Sequence, residues 1–251
     1  MISISDINKE LENLRVDELS DCIEKYRGDS RQGVIKLLDK YQRKLDKYYA
    51  EIERTEKLKE YEKKYASYEY IAGIDEVGRG PLAGPVVAGV VILPKDCDIL
   101  YINDSKKLSE KKREELYDVI MKKSLACATA VVSPQRIDEI NILQATYEAM
   151  RLAIESLEIK PTLLLNDAVN IPGVDIEQVP IIKGDAKSIS IGAASIIAKV
   201  TRDRMMVAYD EMYPEYGFAS NKGYGSEQHI EAIKKYGKCP IHRESFIKNF
   251  V

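Results

Sequence analysis

The sequence predicts an α/β fold in which a mixed central sheet is flanked by helices and preceded by a helical N-terminal extension. From about residue 68 onward, short runs rich in β-branched residues alternate with longer runs of helical periodicity, which is typical of α/β layers. Residues 1–66 show helical patterns alone, with apolar residues repeating at helical spacing between Lys, Arg and Glu. We therefore expect a helical extension over 1–66 and a sheet-containing domain with C-terminal helices over 67–251.

The predicted elements of the second domain follow in a simple order. The strands "YEYIAGID" and "GPVVAGVVIL" are adjacent and favour a hairpin, which makes the sheet mixed. A helix over "SEKKREELYDVIMKKS", a strand over "LACATAVVS" and an amphipathic helix over "NILQATYEAMRLAIESLE" come next. The short apolar strands "TLLLND" and "VPIIKGD" each end on an aspartate, and a long helix begins in "SISIGAASIIAKVTRD". Strands that end on acidic residues make this sheet a candidate catalytic scaffold.

Composition restricts the class of protein. Charged residues make up 31% of the 251 residues but leave a net charge of −3, so bulk charge does not indicate nucleic-acid binding, although a local basic groove is compatible with it. The four cysteines form no C-x-x-C pair, which argues against a zinc site or a disulfide scaffold. There is no signal-like start and no apolar run of the roughly 20 residues that span a bilayer. We expect a soluble, cytoplasmic protein that is monomeric by default.

Three predicted strands end at carboxylates: the first at Asp75 and Glu76, and the last two at Asp167 and Asp185. In open α/β sheets, groups that carry chemistry gather at strand ends. Like charges at one place require cations, and hard cations such as Mg²⁺ prefer oxygen ligands. Two ions about 3.5–4 Å apart can clamp the attacking and leaving oxygens of a phosphoryl displacement. An aspartate after a strand is more often a turn residue, but four together favour a metal site.

Gly78, Arg79 and Gly80 follow the first pair of carboxylates directly. Glycine lets a ligand approach the main chain, and the arginine suits a phosphate. A dinucleotide-binding loop does not fit, because "GRGPLAG" is not G-x-G-x-x-G and a strand follows it where a helix would be needed. A simple hairpin turn stays possible, but it does not account for the arginine.

Five blocks in this order resemble ribonuclease HII: "IAGIDEVGRGPLAGPVVAGVVIL", "NDSKKLSEKKREELY", "IIKGDAKSISIGAASIIAKVTRD", "GFASNKGYGSEQH" and "HRESF". The similarity covers about residues 68–250. It implies a ribonuclease H-like fold and cleavage of the RNA strand of RNA–DNA hybrids and of single ribonucleotides in duplex DNA. Cleavage on the 5′ side of the ribonucleotide would leave 3′-hydroxyl and 5′-phosphate ends, with roles in DNA replication and ribonucleotide excision repair.

The resemblance also implies residue roles. Two ions, Mg²⁺ or Mn²⁺, would be held by the four carboxylates Asp75, Glu76, Asp167 and Asp185. The elements Gly78, Arg79 and Gly80 would recognise the ribonucleotide, and Tyr224 in "KGY" would sense the sugar on its 3′ side. Asn166 departs from the family pattern, where an aliphatic residue is usual, but strand alternation points it away from Asp167.

Further candidates carry less specific signals. Four lysines are candidates for contact with DNA-strand phosphates: Lys106, Lys107, Lys187 and Lys199. Each of them taken alone is typical of an ordinary surface lysine. Ser195 is a candidate for substrate contact, with helix packing as the alternative. The only histidines, His229 and His242, could act as acid or base, but a two-ion site requires neither; for His242 we favour a structural or phosphate-facing place.

Two alternatives to a metal-dependent endonuclease remain. A catalytically idle hybrid-binding module would lack at least one carboxylate, whereas all four are present. A ribonuclease HIII-like enzyme would share the fold and carry an N-terminal extension, but it would lack the combination of the glycine-arginine-glycine element with the tyrosine.

Overall fold

The structure is a computed structural model that describes residues 2–249. The chain divides into two compact units between Lys57 and Leu58. Of the helices in the described part of the chain, none combines the length and apolarity needed to span a bilayer. The division predicted after residue 66 remains a proposal, and the helix Glu60–Lys64 groups with the sheet-containing unit.

The N-terminal unit contains helices α1 (Ile4–Asn13) and α2 (Leu19–Tyr26) and most of α3 (Gln32–Leu58). Its core is formed by the apolar stripes of these helices, as the amphipathic pattern predicts. The buried members are Ile7, Leu11, Leu19, Cys22, Ile23, Tyr26, Val34, Leu38, Tyr41 and Leu45.

The second unit holds the remaining elements. They are α4 (Glu60–Lys64), β1 (Ile71–Val77), β2 (Val86–Ile92), α5 (Glu110–Lys123), β3 (Ala126–Val132), α6 (Pro134–Ile140), α7 (Ile142–Glu155), β4 (Leu163–Asp167), β5 (Glu177–Ile181), α8 (Ile189–Met212), α9 (Phe218–Asn221), α10 (Glu227–Tyr236) and α11 (Glu244–Ile247). The sheet order is β3-β2-β1-β4-β5, with β1 antiparallel to β2 and parallel to β4. The predicted mixed sheet and opening hairpin are confirmed.

Two helices cover the sheet. Small apolar residues of α7 pack on one face, among the even-numbered residues of β1. On the other face α8 crosses the strands at very short range, which glycines allow: a Cβ on Gly73 would lie 2.1 Å from the main chain of Ser190, and one on Gly89 would lie 2.6 Å from the carbonyl of Ala194. The small-residue pattern of α8 is therefore the counterpart of glycines in β1 and β2.

Some details differ from the sequence prediction. Asp75 and Glu76, expected at the end of the first strand, lie within it, because β1 continues to Val77. The strand expected to end on Asp185 ends at Ile181, and Asp185 lies in a following 3₁₀ turn, Gly184–Ala186. The short helix α6, which begins at Pro134 behind the N-cap Ser133, was not predicted. Both segments are only a few residues long, so hydrophobic periodicity carries little information about them.

Candidate active site

Two strands bring the first carboxylates together. The parallel register of β1 and β4 pairs Ile74 with Asn166, so Asp75 and Asp167 are the next residues of neighbouring strands. Both lie on the face covered by α8, whereas Asn166 is fully buried and donates to the Val169 carbonyl (3.0 Å) and the Gln178 side chain (2.8 Å). We name the group Asp75, Glu76, Asp167 and Asp185 the acidic edge.

Asp75 is the most buried of the four, with 7% of its surface exposed. Burial raises the pKa of Asp75 well above its usual range, and the nearby charges of Glu76 and Asp167 raise it further. The carboxylate accepts from the Glu76 N–H at 2.8 Å and hydrogen-bonds the Ser195 hydroxyl. Ser195 in turn lies 2.9 Å from the buried Ser105 hydroxyl. Ser195, which the sequence suggested as a substrate contact, thus hydrogen-bonds Asp75 in the structure.

Glu76 and Asp167 are each held by one neighbour. Burial raises the pKa of Glu76, against the opposing effect of Arg79, whose Nη1 lies 3.2 Å from Glu76 Oε1. Within residues 2–249, Glu76 Oε2 is buried with no hydrogen-bond partner. Asp167 Oδ1 accepts from the Gly184 N–H at 2.7 Å, which ties the end of β4 to the turn that carries Asp185.

Asp185 completes the acidic edge from that turn. Burial raises its pKa, followed by the charges of Asp104 and Asp167, whereas Lys106 opposes the shift. Asp104, the N-cap of the turn Ser105–Lys107, is a neighbouring carboxylate that the sequence analysis missed. The signal for Asp104 in the sequence is its place in "NDSKKL", two residues before the first candidate lysine.

The acidic edge fits divalent cations by its chemistry. It offers only carboxylate oxygens, of which one is buried without a partner, and burial raises the pKa of three of the four groups, so the cluster favours positive charge. Across residues 2–249, however, no three His, Cys, Asp or Glu side chains are already arranged to hold an ion. Glu76 Oε1 and Asp167 Oδ1 already have partners in Arg79 and the Gly184 N–H, whereas Glu76 Oε2 can accept a cation without displacing Arg79.

The glycine-arginine-glycine loop, Gly78–Gly80, is held from behind by a buried arginine. Arg243 donates to the carbonyls of Gly78, Arg79 (2.9 Å) and Gly84 (2.9 Å). It is fully buried, and burial together with the charge of Arg202 lowers its pKa to about 9, so it stays protonated at neutral pH. This side chain fixes the main chain of the loop and leaves the Arg79 side chain exposed.

Arg202 provides the second brace. It donates to the carbonyls of Pro85 (2.9 Å), Ala83 (3.1 Å) and Lys222 (2.9 Å), which joins the loop region to the segment before Tyr224. Gly78 has φ +92°, and a Cβ there would lie 2.3 Å from Arg202 Nε. Glycine is thus required at this position by conformation and by space. Neither arginine is among the site residues predicted from the sequence.

Tyr224 lies beside the loop. A Cβ on Gly80 would be 3.8 Å from the Tyr224 ring, so the loop and the ring are neighbours. The N–H groups of Leu82 and Ala83 donate to the Gly223 carbonyl at 2.8 and 3.3 Å. Tyr224 as a whole residue is 43% exposed. The structure therefore brings together the two elements that the resemblance assigns to substrate recognition.

The candidate lysines fall into two groups. Lys106, Lys107 and Lys187 are exposed. Lys199 is instead enclosed: its ammonium lies 2.7 Å from Asp203, and burial lowers its pKa. Contact with a phosphate therefore stays a prediction for all four, and for Lys199 it requires competition with Asp203.

Comparisons with known proteins agree with this geometry. The ribonuclease HII family model matches residues 72–249, and that of the ribonuclease HII N-terminal domain matches residues 3–66. A ribonuclease HII of Lachnoclostridium phytofermentans is 64% identical over 248 residues, covering 99% of this chain and 98% of that protein. A ribonuclease HII of Bacillus subtilis is 49% identical over 247 residues, with 98% and 96% covered.

Solved structures give the same fold. Ribonuclease H2 of Pyrococcus horikoshii aligns with a TM-score of 0.61 and 31% identity over 72% of this chain and 96% of that chain. A ribonuclease HIII in complex with Mn²⁺ aligns with a TM-score of 0.53 over 71% of this chain and 64% of that chain, at 16% identity, and this likeness concerns the fold alone. The chain belongs to the ribonuclease HII family and is a ribonuclease H enzyme.

Proposed function

We propose that this enzyme is a divalent-metal-dependent endonuclease that cleaves the RNA strand of RNA–DNA hybrids and cuts on the 5′ side of single ribonucleotides in duplex DNA. The products carry 3′-hydroxyl and 5′-phosphate ends. One observation carries the proposal: the acidic edge is directly followed by a braced glycine-arginine-glycine loop with Tyr224 against it. A site for phosphodiester chemistry and a surface for a sugar are thereby adjacent.

The acidic edge has the donor set for the chemistry. Asp75, Glu76, Asp167 and Asp185 would hold Mg²⁺ or Mn²⁺, with Ser195 orienting the Asp75 carboxylate. When bound, such cations supply the Lewis acidity that phosphodiester hydrolysis needs at its attacking and leaving oxygens. The Arg79 guanidinium, which pairs with Glu76 in this structure, is close enough to exchange that partner for a substrate phosphate.

Recognition of the ribonucleotide uses the 2′-hydroxyl, since this group distinguishes RNA from DNA at a given sugar. The main chain of Gly78–Gly80 is rigidly held by Arg243 and is therefore suited to read one hydroxyl position. Tyr224 would place its ring against the next sugar and favour a deoxyribose there. Lys106 and Lys107 would add sequence-independent, salt-sensitive contacts to the DNA-strand phosphates.

Cleavage mapping on duplex DNA with one embedded ribonucleotide tests the proposal. With Mg²⁺ or Mn²⁺ we expect one cut at the 5′ side of the ribonucleotide and none in the matched all-DNA duplex or with chelator. A cut on the 3′ side, or cleavage of the all-DNA control, would contradict it. As a readout besides activity, Mn²⁺ at about 100 times its Kd should raise the free energy of unfolding by roughly 2.7 kcal/mol, and Asp75→Asn should lose most of this gain.

Two further parts of the proposal concern the molecule as a whole. All four cysteines, Cys22, Cys97, Cys127 and Cys239, are free thiols, which suits the reducing cytoplasm. We infer that the enzyme acts there as a monomer on its nucleic-acid substrate. Light scattering of the purified protein would test this, and a concentration-independent dimer mass would contradict it.

A further inference from the structure

A buried pair of histidines lies behind Tyr224. His229 of α10 is 0% exposed and His242 is 3% exposed, and their Nε2 atoms are 3.0 Å apart. The rings of Tyr216 and Phe218 enclose the pair, with centroids 4.8 Å from His242 and 5.3 Å from His229, respectively. The proposed chemistry at the acidic edge uses neither histidine.

Hydrogen-bond directions fix the protonation of both rings. The Cys239 N–H donates to His242 Nδ1 at 2.9 Å, so this nitrogen carries no proton and Nε2 must carry it. His242 Nε2–H then donates to His229 Nε2, and the proton of His229 is on Nδ1, which donates to the Tyr224 carbonyl at 2.8 Å. Both imidazoles are neutral in this chain, because a proton added to either would place two donors face to face.

The chain of hydrogen bonds ends on the main chain of Tyr224. That carbonyl also accepts from the Ser226 N–H at 2.8 Å, and the Tyr224 N–H donates to the Asn221 carbonyl at 2.9 Å. The turn around Tyr224 is thus closed by local bonds, while His229 is the donor that anchors it to the buried aromatic layer. Orientation of an exposed ring depends on the main chain that carries it, so this anchor sets where the ring can lie.

We propose that His229 and His242 are positioning residues for Tyr224: their hydrogen-bond chain fixes the Tyr224 main chain and thereby the discrimination between a deoxyribose and a ribose after the ribonucleotide. This inference rests on the proposed role of Tyr224. It assigns the histidines a part in specificity, with no proton transfer to or from the substrate.

Two conservative substitutions separate the two bonds of His229. In His229→Asn, the side-chain Nδ2–H can occupy the place of the Nδ1–H and keep the bond to Tyr224. In His229→Gln, the longer amide can face His242 but leaves the Tyr224 carbonyl without this donor. Tyr216→Phe is the matched control, because it removes the bond from Tyr216 to the Gly237 carbonyl in the same layer without touching the histidine chain.

The measurement is the ratio of single-turnover rates on one embedded ribonucleotide and on a continuous RNA–DNA hybrid. We expect His229→Gln to lower this ratio by about fivefold, the equivalent of one net hydrogen bond, while His229→Asn and Tyr216→Phe keep it near that of the unmodified enzyme. Adding His229→Gln to Tyr224→Ala should change the ratio no further, because the histidine acts through the tyrosine.

The outcomes distinguish the positioning role of the histidines from the junction-sensing role of Tyr224. If Tyr224→Ala lowers the ratio but His229→Gln leaves it unchanged, the positioning proposal is overturned and the role of Tyr224 stands. If Tyr224→Ala itself leaves the ratio unchanged, the junction-sensing function fails. Hydrogen exchange of the amides in residues 221–226 then reports on positioning alone: faster exchange in His229→Gln than in His229→Asn supports the anchor, and equal exchange overturns it.

Discussion

Two clusters of buried charge lie in the same unit and are compensated in opposite ways. At the acidic edge, burial raises the pKa of Asp75 and Glu76 and neighbouring carboxylate charges raise it further, and Glu76 Oε2 has no partner among the described residues. Arg202 and Arg243 are fully buried, but each donates three hydrogen bonds to main-chain carbonyls.

The difference separates function from scaffold. A buried charge is costly unless hydrogen bonds or opposite charges compensate it. The arginines meet this requirement within the chain, so their effect is to fix the loop that they contact. The acidic edge meets it only in part, and the part that is missing is positive charge, which a bound cation provides. Single buried oxygens without a partner also occur at Glu62 and Asp210 among the described residues, so what distinguishes the site is that several incompletely compensated carboxylates lie together, whereas full compensation distinguishes its support.

The largest expected effect is on catalysis at the acidic edge. Asp75→Asn, Glu76→Gln, Asp167→Asn and Asp185→Asn should each slow cleavage by at least about 1,000-fold, or roughly 4 kcal/mol of activation free energy, because each removes a cation ligand. Asp75→Asn should leave the free energy of unfolding unchanged or higher at neutral pH, since it relieves the repulsion between Asp75 and the carboxylates of Glu76 and Asp167. Single-turnover rates with saturating metal and urea denaturation measure the two quantities.

The control for these variants is Asp98→Asn, which changes a carboxylate that is largely exposed and paired with Lys123. It should have near-normal turnover. Near-normal turnover in any of the four acidic-edge variants would remove that residue from the proposed site.

The buried arginines should respond in the opposite sense. Arg243→Met should lower the free energy of unfolding by about 3–5 kcal/mol, because three buried carbonyls lose their donor. Arg243→Lys should recover part of this loss, since an ammonium cannot reach all three carbonyls at once. Urea denaturation gives the values. A loss below about 1 kcal/mol in Arg243→Met would mean that the loop does not depend on this brace.

The pair His229 and His242 is a third kind of buried titratable group, in which both bases are buried in their neutral form. Burial, followed by the neighbouring His229, lowers the pKa of His242 to about 4. The His242 imidazole therefore binds more protons in the unfolded chain than in the folded chain between about pH 4 and pH 6.5. The stabilisation is complete above about pH 6.5 and is lost as the pH falls towards 4, by on the order of 3 kcal/mol.

His242→Gln should flatten this pH dependence. The measurement is the free energy of unfolding of the variant and of the unmodified protein, obtained by urea denaturation at each pH, and the difference between the two. The acidic edge acts in the opposite direction, because its raised carboxyl pKa values favour the folded state at low pH. Both proteins contain the same acidic edge, so its contribution cancels when one free energy of unfolding is subtracted from the other. Tyr216, Cys239 and Arg243 are titratable or charged groups next to the pair, and Asp138, Lys238 and Glu244 line the same pocket as His242; none of them is altered. If the free energy of unfolding changed with pH by the same slope in both proteins, the conclusion that the two histidines are buried neutral would be contradicted.

The smallest effect concerns Glu62, an acidic residue outside the acidic edge that has partners on one oxygen only, because its Oε2 is buried without a hydrogen-bond partner among residues 2–249. Glu62 of α4 accepts from the Ser188 hydroxyl (2.5 Å) and the Ser190 N–H (3.0 Å) at the start of α8. Glu62→Gln should lower the free energy of unfolding by about 1 kcal/mol and leave the cleavage position unchanged.

Two fragments make the same test sharper. A fragment of residues 58–251 retains Glu62, whereas one of residues 67–251 lacks it, so the shorter fragment should be the less stable in urea. Both should cut at the same position, because the proposed site residues all follow residue 70. A shifted cut in either fragment would overturn the division of the chain proposed from its sequence.

The sequence by itself determined the layers and most of the proposed site. Periods of 2 and 3.6 residues are local, so they predicted the opening hairpin, the amphipathic α7 and the small-residue α8. The adjacency of Asp75, Glu76 and Gly78–Gly80 along the chain was visible in the same way. Asp185 was identified as a site residue, but its 3₁₀ turn was not, because turns of this length have no period.

Only the tertiary structure decided what compensates each buried group. Arg243 bonds to Gly78 across 165 positions, and Ser190 bonds to Glu62 across 128. The pairing of His229 with His242, and the place of Asp104 beside Asp185, likewise follow from how the elements pack. No local pattern records such contacts, because a hydrogen bond to a main-chain carbonyl depends on where that carbonyl points and leaves no trace in the residue type that carries it.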